Sequence, residues 1–161
     1  MKPTVLLSTL VVAVLFLTAS CGGQQASAEA PVSPAIKTFG LTAGDNMRFN
    51  LTEITAAPGE QIKVTLTDVG TQPKEVMGHN WVLLKKTISP VAYANAALNA
   101  KLTDYQPPGL DSQVIAHIRL LGAGQTDEVT FTAPTAPGEY DYLCSFPAHF
   151  QTGMHGVLIV K

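Results

Sequence analysis

The chain has little charge and no run of basic residues: Asp, Glu, Lys and Arg make up 14% of its 161 residues, ten basic against twelve acidic. That composition excludes the basic footprint of a nucleic-acid binder. Beyond an early apolar stretch at residues 5–17, no apolar run is long enough to cross a bilayer, which excludes a polytopic membrane protein of helices. There is no internal repeat. Cysteine is almost missing: Cys21 and Cys144 are the only two, so the body of the chain carries a single thiol.

What is present begins with a leader. Met1-Lys2 is a minimal positive region, and residues 5–17 form an apolar stretch too short for a comfortable membrane span, the pattern of a secretory signal. Leu17-Thr18-Ala19-Ser20-Cys21-Gly22 resembles a bacterial lipobox with Thr18 in place of the preferred Leu, and Ala28-Glu29-Ala30 is a competing small-residue cleavage site. We expect residues 1–20 to be a lipoprotein-type signal peptide, with Cys21 lipidated and the exported protein tethered to a membrane in the periplasm or cell envelope. Stable tethering requires more than one acyl chain, because one holds only marginally. Losing Lys2 leaves nine basic residues against twelve acidic, a mildly acidic product. Residues 21–34, rich in Gln, Ser, Ala and Pro, cannot pack a core and read as a flexible tether. Residues 35–161 then form one domain of ordinary size.

That domain reads mostly as strands. Residues 61–67 alternate polar and apolar without a fault, which predicts one buried and one wet face. Residues 47–51, 80–84, 114–120, 128–132, 140–144 and 157–160 are further candidates, separated by turn signals such as Pro58-Gly59 and Pro137-Gly138. Many short strands of this kind predict an all-β sandwich or barrel. One stretch differs: residues 91–102, rich in Ala and Asn and following Ser89-Pro90, predict a short helical excursion with Pro at its first position.

The chemistry concentrates in Cys144-Ser145-Phe146-Pro147-Ala148-His149-Phe150-Gln151-Thr152-Gly153-Met154. A thiolate, an imidazole and a thioether stand there at C-x4-H-x4-M spacing. A second imidazole, His79, lies far upstream in Met77-Gly78-His79-Asn80-Trp81-Val82-Leu83. Two His, one Cys and a weak axial Met form the ligand set of a blue-copper electron-transfer site, so a single copper ion is the expected cofactor. The bland alternative, a structural Cys near a surface His and a core Met, does not account for all the required ligand types occurring together. Strand parity adds to this: Tyr140, Tyr142 and Cys144 share a face, so their strand delivers the thiol at its end beside the loop. His79 and Trp81 likewise point to one side.

These motifs resemble the cupredoxins, blue copper proteins of the azurin and auracyanin type. The resemblance rests on residues 76–83 (VMGHNWVL), Val114-Ile115-Ala116-His117, Val129-Thr130-Phe131 and Phe146-Pro147, with Asp45-Asn46-Met47-Arg48-Phe49-Asn50 extending it towards the N-terminus. It implies a Greek-key sandwich or barrel with the excursion near 90–102 outside it. It further implies a weak approach of the Gly78 carbonyl opposite Met154, with Asn80 and the Phe146 amide steadying the thiolate. Met47 and Met77 would form an apolar patch around an exposed His149, through which redox proteins dock as electron donor and acceptor. Three departures stand out: one more residue between His149 and Met154 than azurin has, Ala148 where these relatives usually carry Gly, and no disulfide near the N-terminus.

The remaining candidates read more plainly. Trp81 is a core aromatic, and His117 a partly exposed strand residue. His155 competes for the axial position only if Met154 turns away. Pro147 lacks an N–H and cannot donate to the sulfur. The expected function is a mononuclear type 1 copper protein that shuttles single electrons outside the cytoplasm, and not an enzyme. A copper storage or delivery protein is the alternative, distinguished by the absence of an intense blue oxidised form. An oxidase or nitrite reductase would need a second metal site with an open position, and no His-x-His pair or spare cluster supplies one.

Overall fold

A computed structural model describes residues 35–161. The expected signal peptide, the tether and the lipidation of Cys21 lie outside the described residues. Eight strands form two sheets: β1 (Lys37–Ala43), β2 (Glu53–Ala56), β3 (Gln61–Asp68), β4 (His79–Leu84), β5 (Val114–Leu121), β6 (Thr126–Thr132), β7 (Gly138–Leu143) and β8 (His155–Val160). One sheet has the order β1-β3-β6 and the other β2-β8-β7-β4-β5. β1 runs parallel to β3 and β2 parallel to β8, while every other pairing is antiparallel. The all-β sandwich expected from the sequence is the architecture observed.

Alternation decides which faces meet. In β3, Ile62, Val64 and Leu66 are buried every second residue, and they face Trp81, Leu83, Ile118, Tyr140, Tyr142 and Leu158 of the second sheet in one continuous core. Trp81 is wholly buried against Phe131 and Tyr142, as a core aromatic should be.

β4 departs from alternation because both of its faces are covered. Val82 and Leu84 point away from the core into a second cluster with Leu143, Tyr93 and Ala94. Tyr93 and Ala94 come from α2 (Pro90–Ala97), so the helical excursion exists to seal the outer face of the strand that begins with His79. Pro90 fills the first helical position, and the Ser89 hydroxyl accepts the Ala92 N–H at 3.3 Å, a conventional start. The helix stops sooner than the predicted 102: a separate 3-10 turn occupies Lys101–Thr103. One further short helix, α1 (Lys74–Met77), leads directly into Gly78 and His79.

The strand expected at residues 47–51 does not form. Met47 sits at φ 54, in the left-handed region, after a turn closed by its N–H on the Gly44 carbonyl at 2.8 Å. The Asn50 side chain then bonds the chain beside it, accepting the Thr42 N–H at 2.7 Å and donating to the Gly40 carbonyl at 3.4 Å, in place of a ladder. β1 and β2 went unpredicted, β1 because Gly40 and the threonines dilute its alternation and β2 because it is four residues long.

Candidate metal centre

Four strand ends converge at one end of the sandwich. β3 closes there with Asp68, β4 opens with His79, β7 delivers Cys144 just past Leu143, and β8 starts at His155 after the loop returns. The loop from Cys144 to Met154 is closed on itself: the Cys144 N–H donates to the Met154 carbonyl at 3.1 Å and the Met154 N–H to the His149 carbonyl at 2.9 Å. Ala148 adopts φ 70 and Gly153 φ 102. Ala148 therefore carries the left-handed strain that a Gly would avoid, with its side chain in solvent.

Inside this frame the potential ligand atoms of His79, Cys144 and His149 lie within 4.8 Å of one another. The Cys144 Sγ is 3.4 Å from His149 Nδ1, and the two imidazole rings are 4.9 Å apart between centroids. His79 and Cys144 are fully buried and His149 is 2% exposed. The exposed His149 that the resemblance implied is therefore corrected: the imidazole is sealed between His79 and the Phe146 ring, whose centroid is 4.7 Å away.

Burial fixes the protonation states. The Cys144 thiol is pushed up to about 12 by desolvation, against which the backbone N–H groups of Asn80 and Phe146 favour the thiolate. His149 is pushed down to about 4, first by desolvation and then by the neighbouring His79. His79 is also lowered by desolvation, with the charges of Asp68 and Asp45 and the Gly44 carbonyl opposing. That carbonyl is already taken by the Met47 N–H at 2.8 Å, and neither His79 nitrogen has a hydrogen-bond partner. A neutral thiol and two neutral imidazoles thus converge in the buried interior, with both nitrogens of His79 unpartnered. Such a donor set fits a soft cation that displaces the thiol proton.

Gly78 is required by packing. A Cβ there would fall 2.5 Å from the Lys74 carbonyl oxygen and 3.0 Å from the Leu120 side chain. Met154 is fully buried in the core cluster that contains Cys144, whereas His155, the next residue, is exposed and stacks on Phe150 at 5.2 Å. Adjacent residues entering a strand point to opposite sides, so Met154 lies on the core side and His155 on the solvent side. His117 is exposed on β5 and apart from the cluster.

Residues 37–161 match the family described as copper binding proteins, plastocyanin/azurin family. The chain belongs to this family. Among relatives, the azurin of Pseudomonas chlororaphis is 42% identical over 121 residues, 73% of this chain and 92% of that protein. Outer membrane protein H.8 of Neisseria meningitidis is 37% identical over 111 residues, 68% of this chain and 60% of that protein. The crystal structure of dithionite-reduced auracyanin from Roseiflexus castenholzii superposes with a TM-score of 0.68 at 33% identity, covering 78% of this chain and 97% of that one. Within the plastocyanin/azurin family this chain is a type 1 blue copper electron-transfer protein of the azurin and auracyanin kind, taking one copper ion.

Sequence reasoning missed Ser145, Asp104 and Tyr105. Asn80, the neighbour of His79, and Ser145, the neighbour of Cys144, bond to each other, and carbonyls of Asp104 and Tyr105 complete the network. The signal available was weak: buried polar residues beside ligands, with no hint of which groups they meet.

Proposed function

We propose that His79, Cys144 and His149 would hold the copper ion, with the Met154 thioether and the Gly78 carbonyl as weaker groups. The observation that carries this reading is the convergence of three buried, neutral donors within 4.8 Å. Bound copper supplies one-electron exchange between Cu(I) and Cu(II), with nothing else bound or released. The chain's own part is to exclude water from every donor side chain, to hold Cys144 and His149 in a loop closed by backbone hydrogen bonds, and to direct the Asn80 and Phe146 amides towards the sulfur. Such outer contacts fix ligand geometry and potential. This rigid, sealed frame favours a carrier over a storage or delivery protein, which gains from easy release, and over an enzyme, which needs an open position for substrate.

The electron donor and acceptor are redox proteins docking at the metal end. Met47 and Met77 are half-buried there, beside the loop and before His79, and Val69 and Val76 are 61% and 60% exposed. Exposed apolar surface suits a partner face, and small interfaces suit encounters that must end quickly. Location in the periplasm or envelope, with a lipid anchor at Cys21, rests on the leader sequence, and the printed name of the neisserial relative agrees with an envelope setting. The test of the ligand set is Cys144→Ser: the copper-loaded protein is expected to be intensely blue when oxidised and the variant colourless. A thiolate-to-copper band surviving in that variant would sink the assignment.

A further inference from the structure

Asp68 is a buried acid that the ligand set does not use. It closes β3 at the metal end and is 1% exposed. Its backbone is held at both groups, the N–H donating to the Gln125 carbonyl at 2.9 Å and the carbonyl accepting the Gly124 N–H at 2.9 Å. One carboxylate oxygen, Oδ1, accepts the Gly70 N–H at 2.8 Å, and the other, Oδ2, has no partner. The three ion pairs among the described residues, Lys63–Glu128, Lys74–Asp104 and Arg119–Asp127, leave it out.

A buried carboxylate without a cation is costly, so its position beside the donor cluster calls for a counter-charge. Its charge is felt at both His79 and Cys144. Among the described residues no Lys, Arg or His forms an ion pair with it, and the neighbouring donor cluster is suited to a metal cation. A divalent ion on one thiolate and two neutral imidazoles leaves one net positive charge in the site, and a monovalent ion leaves none. The carboxylate is therefore compensated in one oxidation state only. Resting on the ligand set given above, we propose that Asp68 is an electrostatic positioning residue of the copper centre, which favours the divalent over the monovalent ion and holds the reduction potential down.

Asp45 is the natural control. It also faces His79 with its charge, but it is exposed and its oxygens are taken up by the Thr71 N–H at 3.1 Å and hydroxyl at 2.8 Å. Water screens such a group.

The experiment uses the full chain loaded with copper, with voltammetry for the potential and chelator competition for the separate Cu(I) and Cu(II) affinities. Asp68→Asn is expected to shift the ratio of the two affinities about tenfold towards Cu(I), which is about 59 mV upward in potential for a one-electron couple, with the visible spectrum kept. Asp68→Glu, which retains the charge, and Asp45→Asn are each expected to move the ratio less than threefold. An unmoved ratio in Asp68→Asn with an intact spectrum overturns the proposal. So does a Glu variant that shifts as far as the Asn variant, since loop shape and not charge would then be responsible. If Asn prevents copper loading, Asp68→Ser removes the same charge, keeps a short acceptor for Gly70, and decides on the same criterion. Failure of the ligand set is separate: there the unaltered protein would lack the thiolate-to-copper band.

Discussion

Asn80 and Ser145 hold each other by two hydrogen bonds of 2.8 Å, the Ser145 N–H donating to Asn80 Oδ1 and Asn80 Nδ2 donating to Ser145 Oγ. Each is the chain neighbour of a candidate ligand, His79 and Cys144, so this pair sets the spacing between two strands that carry the metal donors. The clamp is backed from outside the sheet. Asn80 Nδ2 also donates to the Asp104 carbonyl at 3.1 Å and Ser145 Oγ to the Tyr105 carbonyl at 2.7 Å. Asp104 and Tyr105 take up φ 53 and φ 60, left-handed values uncommon for such residues, which aim successive carbonyls at the clamp.

Asn80→Ala leaves the buried Ser145 N–H without an acceptor and removes the donor to the Ser145 hydroxyl and the Asp104 carbonyl. An orphaned buried group costs about 1–3 kcal/mol, so the metal-free protein should lose about 2–5 kcal/mol in urea unfolding. Ser145→Ala keeps the N–H bond to Asn80 and should lose about 1 kcal/mol. Equal losses would show that the reciprocal backbone bond carries no weight.

Met154→Gln replaces a soft thioether with a harder amide oxygen, which favours Cu(II), so the potential should fall while some blue colour remains. His155→Ala should change it little, because that side chain faces solvent against Phe150. Voltammetry decides, since a tenfold change in preference is about 59 mV. A large shift from His155 and none from Met154 would reverse the axial assignment.

Met77→Lys should slow electron self-exchange by bringing like charges face to face when two copies meet at the metal end. Line broadening in mixtures of oxidised and reduced protein measures that rate. An unchanged rate with an unchanged spectrum would move the docking face elsewhere.

The metal-free protein should be most stable between about pH 6.5 and 9. His149 lies near 4 in the fold against an ordinary 6.5, so between those values the unfolded chain binds more protons and stability is lost as pH falls. Cys144 lies near 12 against an ordinary 9.0, so above that value the folded chain holds a proton the unfolded chain releases, and stability is lost as pH rises. Urea midpoints across pH 4–10 test this window, and a profile flat from 6.5 to 4 would remove the buried neutral His149 from the account. Copper should flatten the alkaline limb, because binding displaces the thiol proton.

The residue types and spacings in C-x4-H-x4-M and G-H-N-W were enough to name the metal and the fold, because ligand softness and strand alternation are local properties written residue by residue. Alternation also delivered Tyr140, Tyr142 and Cys144 to one face, as found in the core cluster. It misled at residues 47–51, where a left-handed Met47 and the Asn50 side chain broke the ladder, a competition between side-chain and backbone bonding that periodicity does not register. Which of Met154 and His155 faces the core was set only by where β8 begins: Met154 is buried and His155 exposed. The burial of His149, the Asn80–Ser145 clamp and the unpartnered Asp68 oxygen belong to tertiary structure alone. Each depends on which groups from distant strands meet in a water-free interior, and only the packed sandwich brings them together.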